Sequence, residues 1–195
     1  MIAVLDSPKI TPDELLMRPD HDQYELVNGE LVEKNIGWQS SRIGAKLVII
    51  LGAYVEQHGL GWVNGPDASY QCFEDALPDD PDRIRKPDVS FISLDRLPPE
   101  DEPVGYCEIV PDLAVEVVSP NDMVYELSEK VEEYLKAGVK LIWIVVPKTK
   151  TVRIYRANGS IDELHETQEL SGEEVVSGFR CRVSELFRTP SKNKP

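Results

Sequence analysis

The chain reads as an α/β protein, a β-sheet core flanked by helices, and three observations predict this. Residues 112–118 and 140–146 are short runs dense in Val, Ile and Leu, the signature of strands buried on both faces of a sheet. Residues 39–58 and 124–137 carry apolar side chains at the three- and four-residue spacing of amphipathic helices. Residues 24–33 and 151–156 have the look of solvent-facing strands, the first pair joined by Asn28-Gly29.

At 195 residues and 41% hydrophobic content the chain is expected to form one domain, 1–195, with a core from about 11 to 187. No run approaches the roughly 20 apolar residues of a membrane span, the longest candidate being Leu47 to Leu51. Met1 to Asp6 lacks the basic and apolar regions of a signal peptide. Cys72, Cys107 and Cys181 are scattered and show no CxxC spacing, so zinc and disulfide frameworks are unsupported and a reducing cytoplasm is the expected location. The formal net charge of −14 disfavours partners gripped through phosphates, unless a local basic groove or a bound Mg2+ reverses the field.

Along the chain, Thr11-Pro12-Asp13-Glu14 is a capping box that starts a short helix through Met17, expected to tuck Leu15 and Leu16 onto the sheet. The hairpin of residues 24–33 follows, with Glu25 and Glu33 expected on its solvated face. The first long helix packs through Ile43, Leu47, Ile50, Leu51 and Tyr54, stops at Gly59, and places His58 where it serves as a C-terminal cap. Residues 62–64 and 68–73 are expected as strands about the turn Gly65-Pro66-Asp67, and the acidic stretch Glu74 to Asp82 as a solvated loop. Asp88 opens a strand containing Val89, Phe91 and Ile92, preceded by the dense basic cluster Arg83, Arg85 and Lys86. The second long helix has its core stripe at Leu127, Val131, Tyr134 and Leu135, with Lys130 at the stripe's border and Glu126, Glu129, Glu132 and Glu133 on the outer side. A small hairpin and a terminal helix near Leu186 close the fold, and residues 191–195 are expected to fray.

Within the run Asp112 to Pro120 stands Glu116, out of place on packing grounds. An ionised carboxylate buried without partners costs several kcal/mol or more, so Glu116 needs a cation, a hydrogen-bond network or a shifted pKa. If the strands bearing Asp88 and Glu116 pair antiparallel, the start of one lies beside the end of the other and the carboxylates converge at one end of the sheet. The helix bearing Lys130 leaves the Glu116 strand directly and packs over the same region. Two carboxylates, a backbone carbonyl such as that of Val117, and one lysine suit metal-assisted phosphodiester cleavage: hard oxygen ligands for Mg2+, and an amine to place water or neutralise charge.

Pro87-Asp88 followed by Glu116-Val117-Val118 in a buried strand resembles the PD-(D/E)XK nuclease core. The ordered segments Tyr24 to Glu30, Lys86 to Val89, Ala114 to Pro120 and Lys130 to Val145 are similar to the Uma-type restriction endonucleases, over about Thr11 to Phe187. The resemblance implies a restriction-endonuclease-like mixed β-sheet core, Asp88 and Glu116 as metal carboxylates, Mg2+ (or Mn2+) as cofactor, and DNA as substrate. Val118 stands where the usual lysine follows the glutamate, and the resemblance points to Lys130 instead. It also makes Glu25 and Glu30 candidate outer carboxylates. Relatives often carry a His at the start of the first long helix, where Ser40 or Ser41 stands here. Arg83, Arg85 and Lys86 are candidates for the DNA backbone or for balancing the neighbouring acids. The expected activity is that of a Mg2+-dependent endodeoxyribonuclease, its competitors being an inactive relative that binds or assembles and a hydrolase of small phosphoesters. A homodimer is expected from the need to cut two strands.

Overall fold

The computed structural model describes residues 9–34 and 37–190. The segments 1–6 and 191–195, read above from sequence, lie outside the described residues. The chain enters through α1 (Pro12–Leu16), capped by Thr11 and Glu14 in the expected reciprocal box. β1 (Tyr24–Val27) and β2 (Glu30–Glu33) form an antiparallel ribbon whose turn has Asn28 and Gly29 at φ of 52° and 74°, the left-handed pair of a type I′ turn. Then comes α2 (Trp38–His58), which ends where Gly59 turns left-handed.

Six further strands make the central sheet, in spatial and sequential order: β3 (Gly61–Asn64), β4 (Val89–Ser93), β5 (Leu113–Val117), β6 (Leu141–Val146), β7 (Thr151–Arg156) and β8 (Ile161–Leu164). All neighbours are antiparallel except β5 and β6, which are parallel. A parallel pair cannot close through a tight turn, and α3 (Val124–Ala137) provides the crossover. A two-stranded ribbon of β9 (Glu169–Ser171) and β10 (Arg180–Arg182) leads into α4 (Val183–Phe187).

Strand alternation sorts the core into two layers. Leu113, Val115 and Val117 of β5, with Leu141, Trp143 and Val145 of β6, pack against Ile43, Leu47, Leu51 and Val55 of α2. Ala114 of β5, with Ile142 and Ile144 of β6, packs against Val131 and Tyr134 of α3. Glu116 follows the parity of Ala114 and so points to the α3 side, not into the α2 core.

Three local expectations are corrected. Leu15 is buried but Leu16 is exposed, and Leu15 packs with Leu26 and Ile84 against the β1–β2 ribbon instead of the central sheet. Residues 68–73 form no strand; only Tyr70 is paired, to Arg85 and Cys107, while its hydroxyl donates to Ser90 at 2.6 Å. Within the acidic loop, Asp80 is buried, because its carboxylate accepts the Asn28 N–H and the Arg83 guanidinium.

Candidate active site

Asp88 immediately precedes β4, and Glu116 is the fourth residue of β5. The antiparallel register pairs Val89 with Val115, so Asp88 comes alongside Glu116 at one end of the sheet. The Val117 N–H donates to Asp88 Oδ2 at 2.7 Å, stitching the first carboxylate to the residue after the second. Both carboxylates, with Glu25, Val117 and Lys130, line a cavity of about 240 Å³.

Lys130 reaches the cavity because it borders the buried stripe of α3, where Val131 and Tyr134 hold the helix against the sheet. Its ammonium lies 3.1 Å from Glu25 Oε1 and 3.7 Å from Glu116 Oε2. Tyr134 donates its hydroxyl to Glu116 Oε1 at 2.8 Å, leaving Oε2 toward Lys130. Burial pushes the Glu116 carboxyl up to about 7 against the pull of Lys130, with the Asp88 and Glu25 charges adding to the rise. Burial likewise raises Asp88, opposed by Lys34 and by the Val117 N–H. Burial lowers Lys130, but Glu116 and Glu25 outweigh it, so the ammonium stays protonated.

Glu25 is buried, not on a solvated face. Its Oε1 accepts the Lys86 backbone N–H at 3.0 Å and the Lys130 ammonium, while Oε2 accepts Arg85 Nη1 at 2.8 Å. Burial opposes its ionisation, but Lys130 and Arg85 prevail and hold it at about 2. With both oxygens engaged, Glu25 serves as the anchor of Lys130. Glu30 is exposed on β2 and does not line the cavity.

The basic cluster is turned inward. Arg83 pairs with Asp80 and Glu133, Arg85 with Glu25 and Glu133, and the Lys86 ammonium donates to the His21 carbonyl at 2.6 Å. All three are buried, so none presents its charge to a DNA backbone. The reason is electrostatic: Glu25 and Glu133 can be buried as anions only beside cations. Glu133, expected on the outer side of α3, is one of those buried acids.

Lys34 is a further site residue that the sequence did not disclose. It follows the ribbon, donates to the carbonyls of Pro66 and Lys86 at 2.9 Å each, and stands 3.9 Å from Asp88 Oδ1. Ser40 is buried, its hydroxyl 2.8 Å from that of Ser119, whereas Ser41 is exposed. His58 donates its Nδ1–H to the Tyr54 carbonyl, 2.8 Å away at the end of α2, and is not among the residues lining the cavity.

Among the described residues no group of three or more His, Cys, Asp or Glu side chains is arranged to hold a metal ion. The donor set still fits a hard cation, since Mg2+ is commonly held by one or two carboxylates and completes its shell with water. Two carboxylates raised by burial, with the Asp88 charge adding to the rise at Glu116 and the Asp122 charge at Asp88, are the electrostatic condition that such a cation reverses. No helix among the described residues is long and apolar enough to cross a membrane.

A search of curated proteins returned no match. A crystal structure of a protein from Anabaena variabilis ATCC 29413, described as a "putative nuclease belonging to DUF820", superposes with a TM-score of 0.77 at 21% identity, covering 91% of this chain and 97% of that one. At that identity the likeness establishes the fold, a nuclease-like mixed sheet flanked by helices. The family model Uma2, described as "Putative restriction endonuclease", matches residues 12–184. With the match spanning most of its length, the chain belongs to the Uma2 family.

Proposed function

We propose that the protein is a Mg2+-dependent endodeoxyribonuclease. The observation that carries this reading is the meeting of Asp88, Glu116 and Lys130, far apart in sequence, around one cavity at the end of the sheet. Asp88, Glu116 and the Val117 carbonyl would hold the cation, with Mn2+ an alternative to Mg2+. When bound there, the ion polarises a phosphodiester and lowers the pKa of an attacking water.

The chain's own residues supply the rest. The Val117 N–H fixes Asp88 through Oδ2 and leaves Oδ1 toward Lys34. The Tyr134 hydroxyl fixes Glu116 through Oε1. Lys130 remains protonated, so it acts as a charge and hydrogen-bond donor, not as the base that activates water. Its ammonium, anchored by Glu25, neutralises charge that develops on the phosphoryl oxygens.

Plasmid nicking in Mg2+ or Mn2+ tests the proposal. Wild type should nick and Glu116→Ala should not. Absence of cleavage by wild type across DNA and RNA substrates favours the second reading, a relative that binds or assembles without catalysis, for which the net charge of −14 speaks. Hydrolysis of a mononucleotide ester but not of DNA would instead mark a small-phosphoester hydrolase.

A further inference from the structure

Lys34 stands where two cavities meet. One is the cavity of about 240 Å³ that holds both candidate metal carboxylates, the other measures about 280 Å³, and Lys34 and Asp88 line both. The Lys34 ammonium carries three N–H donors. Two are spent at 2.9 Å each on the carbonyls of Pro66 and Lys86, which are neutral and leave its charge uncancelled. Asp88 Oδ1 lies 3.9 Å away, beyond hydrogen-bond reach but well within range of a charge interaction. The Lys34 side chain is only 14% exposed, so solvent screens that interaction little.

The other Asp88 oxygen, Oδ2, is held by the Val117 N–H. Oδ1 is thus the oxygen left for a metal ion, and it is the one that faces Lys34. Lysine and metal compete for the same atom. Burial is the largest influence on the Asp88, Glu116 and Glu25 carboxyls, and the Lys34 charge counteracts it at all three. Lys130 is placed differently, because its own partners are the carboxylates of Glu25 and Glu116.

We propose that Lys34 is a positioning residue that stands in for a metal ion at Asp88 until a phosphodiester arrives. Its ammonium balances the Asp88 charge while no metal is bound. A divalent ion on Oδ1 removes that balance and sets two positive centres side by side, which costs affinity. An anionic oxygen between them, such as that of a phosphodiester, accepts the third Lys34 N–H and relieves the repulsion. Metal and phosphodiester therefore strengthen each other's binding, and the effect is reciprocal by linkage. The inference rests on the nuclease reading for the identity of the anion, and adds that metal uptake depends on substrate.

Calorimetric titration of the full chain with Mg2+, with and without dimethyl phosphate, tests the proposal. Saturating dimethyl phosphate should tighten Mg2+ binding to wild type about fivefold or more. Lys34→Gln and Lys34→Met should bind Mg2+ alone about tenfold more tightly than wild type does, and should lose most of the response to dimethyl phosphate. Lys34→Arg, which keeps the charge, should keep the wild-type response. A lysine that merely braced the Pro66 and Lys86 carbonyls could be lost with weakened or unchanged metal binding, but not with a gain. Wild-type Mg2+ affinity indifferent to dimethyl phosphate would overturn the proposal with no variant needed. So would folded neutral variants that bind Mg2+ no more tightly than wild type. Hydrolysis of bis(para-nitrophenyl) phosphate by wild type with Mn2+ is read separately: its absence removes the catalytic reading, whereas the coupling is decided by the calorimetry alone.

Discussion

Asp88 and Val117 are joined across two strands by one hydrogen bond, 2.7 Å from the Val117 N–H to Asp88 Oδ2. Because Val117 directly follows Glu116, this bond sets the spacing of the two candidate ligands through the backbone of β5, not through flexible side chains. It also spends one Asp88 oxygen on structure and leaves the other for a ligand.

Asp88→Asn separates those two uses. An amide oxygen can still accept from Val117, so thermal unfolding should change little, while the lost charge should remove Mg2+ binding and the activity that depends on it. Calorimetric titration with Mg2+, beside a thermal melt, checks both halves; retained metal affinity in a folded variant would refute the ligand assignment.

Glu116 predicts how metal binding depends on pH. A cation must displace the proton from a carboxyl that burial has raised to about 7. Apparent Mg2+ affinity should therefore rise by up to about tenfold per pH unit below 7 and level off above it. Glu116→Gln should abolish both the binding and the slope.

The same two acids predict opposite effects on metal-free stability. Glu116 has a raised folded pKa, so its contribution is present below its ordinary carboxyl range and is lost as pH rises through about 7. Glu25 is depressed to about 2, so its contribution is present above the ordinary range and is lost as pH falls toward 2. Urea midpoints measured in a chelator from pH 3 to 8 should show a maximum between these limits, and Mg2+ should lift the neutral side selectively.

Lys130→Met should lower kcat by about 10²- to 10³-fold, the usual effect of removing one donor to developing charge. Mg2+ binding at pH above 8 should survive, because the amine is not a ligand. Nicking rates under saturating Mg2+ provide the measurement, and a loss confined to Mg2+ affinity would contradict this role.

Glu133 is held by Arg83 and by Arg85, the latter at 2.7 Å. Glu133→Ala leaves each buried guanidinium with one carboxylate partner, Asp80 for Arg83 and Glu25 for Arg85, in place of two, and should cost about 1–3 kcal/mol in denaturant unfolding. Glu132→Ala, one residue away, removes only an exposed pair with Lys136 at 3.9 Å and should cost less than about 0.5 kcal/mol.

The regular elements were legible because each is written in local periodicity. The 124–137 helix has the expected bounds, the 39–58 helix starts one residue earlier, and the Asn28-Gly29 ribbon is as read. The convergence of Asp88 and Glu116 followed from one pairing assumption, which the β4–β5 register meets. The charge network was not legible, because its members are far apart in sequence: Arg85 meets Glu25 and Glu133 across 60 and 48 residues. A signal did exist. Arg83 and Arg85 alternate in an extended segment, so they share one side, and Glu133 lies one helical turn from Lys130. Lys34 carried no such signal; a single lysine after a hairpin looks like any solvated charge. Residues 68–73 misled because Tyr, Cys and Phe favour strands, yet the segment is held by the isolated pairing at Tyr70.

The β1–β2 ribbon is not part of the central sheet; its backbone is tied to the rest of the chain where Leu26 pairs with Ile84 and where the Ile10 N–H donates to the Gly29 carbonyl. Two strands alone are marginally stable, yet this ribbon carries Glu25, which holds the Lys130 ammonium at 3.1 Å. Warming should therefore release the ribbon while the six strands stay intact, so heat inactivation should precede the main melt. Amide exchange at Glu25 and Leu26 should outpace exchange at Val115.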